Sequence, residues 1–256
     1  MDIQKVKNIF LIFLIVCSLF VLFFLEGFSL KVKQYKNNGG ILSLSFDDGY
    51  ISHYNFAYPL MKKYEFKGTE YLVANWSEKF ENKELMTFEE ARKMQFDGWE
   101  IGSHSLSHAN LASLSKDKLE RELKLSKKIL IENEFNISSI AFPYGYYNEN
   151  VSNLVINYYS SARPLIDGYN FINQTNLYKL KSKWIDKDSN FVEVCNWINY
   201  ANFNNLWLIL VFHNIEDSPN EYWSESTGDF QEILKCINES KIEVKTITEV
   251  INEKRN

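Results

Sequence analysis

From Gly40 onward the chain alternates short apolar runs with amphipathic stretches. The runs predict strands over 40–46 (GILSLSF), 68–74, 99–105, 137–142, 158–164, 178–184, 206–213 (LWLILVFH) and 242–247. Helical patterns lie between them. Thr87 with Glu90 three residues later forms a capping-box signature, and Gly98 follows the end of that helix. Leu119, Leu123, Ser126 and Leu130 fall on one stripe of the next long helix, with charges elsewhere. Phe230, Ile233, Leu234 and Ile237 repeat the pattern near the end of the chain. Strand–helix alternation of this kind predicts an α/β fold with a parallel sheet and helices outside it. Seven or eight such units fit a closed or nearly closed barrel; an open, doubly wound sheet is the alternative that periodicity leaves standing.

The first 36 residues have a different pattern. An uncharged apolar run extends from Ile9 to Leu25, after Lys5 and Lys7. It approaches the roughly 20 residues needed to span a bilayer. A cleavable signal peptide is the competitor, but Glu26, Gly27 and Phe28 offer no small-x-small cleavage site. The expectation is an uncleaved transmembrane anchor helix and short linker over 1–36, followed by one catalytic domain over 37–256. Lys31, Lys33 and Lys36 flank the far side of the run, so charge does not fix its orientation.

Composition changes the picture in two places. Beyond residue 36 there are 23 basic and 31 acidic residues, a balance that argues against nucleic-acid binding. Three cysteines occur: Cys17 lies in the apolar run, while Cys195 and Cys236 lie in helical stretches and could form one bridge.

The candidate chemistry collects at strand ends, where parallel α/β folds place their active residues. Asp47 and Asp48 end the first strand, and Gly49 supplies the turn. Two adjacent carboxylates repel, so a strand that ends in them needs solvent, a turn or a cation. His104 and His108, four apart, end the third strand, where one helical turn would bring both imidazoles to one side. His213 ends the most hydrophobic strand. Three of the chain's four histidines therefore sit at strand ends. Two imidazoles, one carboxylate and open positions for water make a catalytic divalent-metal pattern. The fourth, His53, reads as structural or exposed.

The segments SFDDG, SHSLSH, AFPYG and LILVFH, in this order, resemble the motifs of the polysaccharide deacetylases, the NodB-homology domain of carbohydrate esterase family 4. The resemblance spans roughly residues 40 to 250 and leans toward the poly-N-acetylglucosamine deacetylases. It implies a distorted (β/α) barrel of about seven parallel strands. It also implies metal-dependent removal of N-acetyl groups from a sugar polymer. By the same resemblance, Asp48, His104 and His108 match the metal ligands, Asp47 the general base and His213 the general acid. The Tyr144 backbone N–H matches an oxyanion donor, while Val211 and Trp184 match the wall around the acetyl methyl. The implied ion is Zn²⁺, with Co²⁺ or Ni²⁺ as substitutes.

Two departures stand out. The family's third motif often carries an arginine that steadies the base, and here that place is Ala141. The fourth motif, with its Asp and Trp, is not distinct. Arg163, at the end of the following strand, is a candidate replacement cation; an ordinary surface arginine is the other reading. The function these features imply is a membrane-anchored, extracytoplasmic polysaccharide N-deacetylase, with its polysaccharide substrate and the membrane as partners and no protein partner implied. The rivals are a catalytically silent carbohydrate-binding barrel and an O-acetyl esterase of the xylan type built on the same site.

Overall fold

The structure, a computed structural model, describes residues 39–75, 79–80, 83–219 and 221–253. The apolar run from Ile9 to Leu25, and with it the expected anchor, lies outside them. Among the described residues no helix is long and apolar enough to cross a membrane.

Seven parallel strands form a curled sheet: β1 (Ile41–Phe46), β2 (Thr69–Leu72), β3 (Glu100–Ser103), β4 (Ser139–Ala141), β5 (Ser161–Arg163), β6 (Lys183–Trp184) and β7 (Leu206–Phe212). Their spatial order is β5-β4-β3-β2-β1-β7-β6. A short strand β8 (Glu243–Val244) pairs with the beginning of β1, below the rungs that β2 occupies. No regular ladder joins β5 to β6. Four backbone hydrogen bonds cross that gap instead, from Ala162 N–H to the Leu177 carbonyl, Leu180 N–H to the Ala162 carbonyl, Ser182 N–H to the Ile166 carbonyl and Gly168 N–H to the Ser182 carbonyl. The result is a curled half-barrel of seven parallel strands, irregular at one seam, in line with the distorted barrel that the resemblance implied and periodicity alone left open.

β1 and β7 are buried at every position and pair in full register, from Ile41 opposite Trp207 to Phe46 opposite Phe212. Such strands are covered on both faces, which is why they read as continuous apolar runs. Side-chain alternation then divides the core into two layers. Leu42, Leu44, Phe46, Leu208, Leu210 and Phe212 belong to the outer layer beneath the helices. Ile41, Trp207, Ile209 and Val211 belong to the smaller inner cluster with Tyr71 and Ala141. Asp47 and His213 continue the inward-facing series past the last strand residue, so alternation alone aims both over the barrel mouth.

The helices are α1 (Tyr58–Lys62), α2 (Phe88–Phe96), α3 (Lys116–Glu132), α4 (Glu149–Val155), α5 (Phe191–Phe203), α6 (Thr227–Ser240) and α7 (Ile247–Glu253). The capping box of α2 is formed: the Glu90 N–H donates to Thr87 Oγ1, and the Thr87 N–H donates to the Glu90 carboxylate. The stripes of α3 and α6 are buried as the pattern predicts. α7 carries Ile247, Val250 and Ile251 into the inner cluster and closes the barrel floor. The buried Glu100 carboxylate fixes it there by accepting from the Thr248 N–H and hydroxyl, at 2.8 and 2.7 Å.

Several elements depart from the pattern. The expected strand over 178–184 is regular only at Lys183–Trp184, because residues 177–182 serve the irregular seam. Asn170–Phe171 runs antiparallel against β7, and Asn214–Glu216 pairs with Ser224–Ser226 just past the mouth. Both are too short to carry a periodic signal.

A disulfide between Cys195 and Cys236, with Cα atoms 6.0 Å apart and a sequence separation of 41, ties α5 to α6. A link closing a loop of this length restricts the unfolded chain and contributes about 2–4 kcal/mol. Reduction, or Cys195→Ser with Cys236→Ser, should lower the unfolding free energy by about that amount in a denaturant titration. An unchanged midpoint under reducing conditions would show that the bridge contributes nothing.

Candidate metal centre and active site

The turn after β1 begins the site. Asp48 and Gly49 both take positive φ, 77° and 81°, which turns Asp48 out of the strand alternation that Asp47 follows. A Cβ on Gly49 would sit 3.0 Å from the Leu72 side chain, so the turn is closely packed as well as left-handed. The Asp47 N–H donates to the Phe212 carbonyl at 3.0 Å, tying the ends of β1 and β7 together.

The segment from His104 to His108 is a turn rather than the helical turn expected from the four-residue spacing, with Ser105 and His108 at φ 67° and 56°. It still brings both imidazoles to one point. Backbone bonds from Ala74 and Asn75 hold one side of the turn. Glu122, projecting from α3, holds the other: its carboxylate accepts from the N–H groups of Leu106 and Ser107 at 3.0 Å and from the Ser107 hydroxyl at 2.6 Å. Sequence reasoning missed this carboxylate. The one available signal was an acid one residue before Leu123 on an otherwise apolar stripe.

His104 Nε2 and His108 Nε2 lie 3.3 and 3.1 Å from Asp48 Oδ1, and the three buried side chains offer ligand atoms within 4.8 Å of one another. A tetrahedral shell with bonds of about 2.0–2.1 Å places its ligand atoms about 3.3 Å apart, so the donor set fits a Zn²⁺-sized ion. His104 Nδ1 donates to the Ala141 carbonyl at 3.0 Å, which fixes the tautomer and leaves Nε2 free to ligate. Burial opposes the charge on Asp48, but the two imidazoles facing it outweigh burial and hold its carboxyl well below the usual range.

Asp47 lies beside the three ligands and is not one of them. It is 1% exposed, as is Arg163, whose Nη2 donates to both of its carboxylate oxygens, at 2.6 Å to Oδ2. Burial raises the Asp47 pKa, but Arg163, with His104 and His213, reverses the shift and keeps it low. The guanidinium lies between the rings of Tyr71 and Trp184, 5.4 and 5.5 Å from their centroids. It is no surface arginine. Ala141, where the family's arginine is expected, is the register partner of Arg163 on the neighbouring strand.

His213 lines the same cleft, between the rings of Trp184 and Trp223 at 5.8 and 5.4 Å. Burial lowers its pKa against the pull of Asp48 and Asp47. Tyr144 sits in a left-handed conformation (φ 59°) within a turn closed by a Gly145 N–H bond to the Phe142 carbonyl, and its ring meets His108 at 4.8 Å. The cleft holds about 400 Å³ and is walled by aromatic side chains, among them Tyr50, Tyr146, Trp184 and Trp223. Val211 differs from the other wall candidates. It is fully buried in the inner cluster, as the register partner of Trp184 on the neighbouring strand. His53, read from sequence as structural or exposed, is wholly buried.

A buried Asp-His-His group that could hold a metal ion lies at the mouth of the curled parallel sheet, beside a separate, arginine-held carboxylate. Residues 34–159 match the family model of the polysaccharide deacetylases, so the chain carries a domain of that family. It is 35% identical over 108 residues to YxkH of Bacillus subtilis (strain 168), which carries the polysaccharide deacetylase name; that match covers 41% of this chain and 37% of YxkH. It is 30% identical over 118 residues to the poly-beta-1,6-N-acetyl-D-glucosamine N-deacetylase of Staphylococcus aureus (strain MRSA252), covering 41% of each. The aligned segment thus spans about two fifths of these relatives. Among solved structures, a mutant of the peptidoglycan deacetylase PdaC from Bacillus subtilis superposes with TM-score 0.57 at 18% identity, covering 86% of this chain and 94% of that one. That likeness concerns the fold.

Two outcomes follow from this geometry. His104→Ala with His108→Ala should abolish stoichiometric metal binding; elemental analysis finding the double variant fully loaded would rule out the triad. Arg163→Ala leaves burial and Asp48 acting on Asp47 without the guanidinium. Its pKa should rise, and the acidic limb of any activity profile should move to higher pH. Ala141→Arg in that background should move the limb back down, because the new guanidinium would start one rung away. A limb that ignores both changes would separate Arg163 from the function of Asp47.

Proposed function

We propose that the domain is a metal-dependent N-deacetylase acting on an extracytoplasmic, β-linked N-acetylglucosamine polymer. The observation that carries this reading is the division of labour between adjacent carboxylates: Asp48 faces the two imidazoles, while Asp47 stays off the ligand set, held ionised by Arg163. A divalent ion held by Asp48, His104 and His108, Zn²⁺ or in its place Co²⁺ or Ni²⁺, would polarise the acetyl carbonyl and acidify the attacking water.

Asp47 acts as the general base, taking one proton from the water as its oxygen bonds to the acetyl carbon. His213 acts as the general acid. Burial lowers its pKa, so the imidazolium form gives up its proton readily. That proton goes to the sugar nitrogen as the C–N bond breaks, leaving acetate and a primary amine. The Tyr144 N–H assists at the developing oxyanion. Trp184 walls the acetyl pocket, with Val211 packed behind it. Tyr146 and Trp223, both exposed at the cleft, offer flat surfaces to sugar rings. The silent-barrel rival rested on the missing arginine, and Arg163 removes that support.

The extracytoplasmic placement draws on two features. The apolar run from Ile9 to Leu25 has the length of a membrane anchor. The Cys195–Cys236 bridge suits an oxidising compartment. The preference for N-acetylglucosamine polymers draws on the Staphylococcus aureus relative.

The purified protein, loaded with Zn²⁺, should release acetate and an equal amount of primary amine from soluble N-acetylglucosamine oligomers, in preference to peptidoglycan fragments and acetylated xylan. Acetate from xylan without new amines would make it an esterase instead. Asp47→Asn and His213→Ala should keep the metal and lose about 10²- to 10⁴-fold in rate. Wild-type turnover in Asp47→Asn would overturn the assigned roles.

A further inference from the structure

A histidine that acts as a general acid needs its ring held in one orientation, commonly by a carboxylate on its second nitrogen. His213 has no such support: its Nδ1 has no hydrogen-bond partner among the described residues. Its backbone, by contrast, is held at several points. The Phe212 carbonyl accepts from the Asp47 N–H at 3.0 Å. The Ser52 hydroxyl donates to the Asn214 side chain at 2.9 Å and accepts from the Ile215 N–H at 3.2 Å. The His213 carbonyl itself receives His53 Nε2 at 2.6 Å.

His53 is anchored in turn. Its Nδ1 lies 3.1 Å from both oxygens of Glu70, and both side chains are 0% exposed. Glu70 sits on β2 between the inward-facing Thr69 and Tyr71, so it projects into the outer layer beneath the helices. There the His53 ring packs against Phe46 and Tyr50, at centroid distances of 5.2 and 5.8 Å. Burying an acid and an imidazole among aromatic rings is costly, and a buried pair of this kind is often replaceable by apolar residues without loss of stability. Stability therefore gives no reason for the pair. Its geometry gives one. A carbonyl can only accept, so Nε2 must carry a hydrogen, and the Glu70 carboxyl holds the ring at the angle that points this hydrogen at His213.

We propose that His53, oriented by Glu70, is a positioning residue for His213: it fixes the backbone from which the acid projects and takes the place of a carboxylate on the ring. This inference rests on the deacetylase reading for its kinetic consequence, but its structural content does not. The Trp184 and Trp223 rings flanking His213 restrict its tilt, and the clamped carbonyl fixes where the side chain starts.

The test separates positioning from packing. In the full chain purified in mild detergent, His53→Phe should lower kcat on N-acetylglucosamine oligomers by about 10- to 100-fold, the scale of a misplaced reacting group, with KM and metal content near wild type. His53→Phe with Glu70→Leu removes both polar groups and should restore thermal stability without restoring kcat. His53→Gln keeps an N–H donor near the same place and should recover part of the rate. With four histidines in the chain, ¹⁵N-histidine spectra can follow His213 directly. Its ring signals should shift or broaden in the double variant and stay near wild type in His53→Gln. A stable double variant with wild-type kcat, or with unchanged His213 signals, overturns the proposal. If the wild type releases no acetate, the deacetylase reading fails, and the His213 signals alone decide the positioning claim.

Discussion

The buried pair between Asp47 and Arg163 is the interaction on which the site depends. Two neighbouring carboxylates at the end of an apolar strand cannot both be buried and charged without cations to face them. The protein answers each carboxylate separately. Asp48 turns out of the strand through a left-handed residue and meets two imidazoles, while Asp47 stays in the strand series and meets a guanidinium from β5. Breaking the second pair would leave an uncompensated charge in the barrel mouth, which is far more costly than never having built it. The pair also spans the curled sheet, since β1 and β5 are separated in strand order by β2, β3 and β4.

This arrangement works because β1 carries small polar residues on its inward face and large apolar ones on its outward face. Along β1 the outward residues are Leu42, Leu44 and Phe46, while the inward ones after Ile41 are Ser43, Ser45 and then Asp47. Small serines leave room inside for Trp207, whose indole donates to Ser43 at 2.9 Å, and for the Arg163 side chain above it. Had the two faces been exchanged by a register slip of one residue on each strand, both Asp47 and Arg163 would have met the helices instead.

Much of this was legible in sequence because it depends on short-range periodicity. The strand ends, the α2 capping box, the buried stripes of α3 and α6 and the convergence of Asp48, His104 and His108 all follow from spacings within one element or from motif order. What was hidden depends on contacts between distant segments. His53 meets the carbonyl of a residue 160 positions later, and Glu70 looks like an ordinary strand polar residue until the helix above it is placed. Glu122 was obscured for a related reason: a carboxylate on an amphipathic helix normally faces water, and its burial becomes sensible only once a loop with exposed N–H groups lies against it. The 178–184 run has the composition of a strand, but most of it is used to cross a seam where no regular partner exists.

Asp47 takes its cation from β5, although the register would also allow the neighbouring strand to supply one. Ala141 and Arg163 face each other in register on β4 and β5, so their Cα atoms lie on one rung, separated by roughly the 4.8 Å between neighbouring strands. Both positions point into the barrel by the same alternation. A long, flexible side chain starting from either can deliver a guanidinium to the same carboxylate, provided the other position is small enough to let it pass. Here the small residue is Ala141, and its backbone has a second task, because the carbonyl that fixes His104 belongs to it. An arginine side chain at 141 would leave that carbonyl in place. Asp47 and His104 are therefore held through separable atoms of one rung, the Arg163 guanidinium and the Ala141 carbonyl.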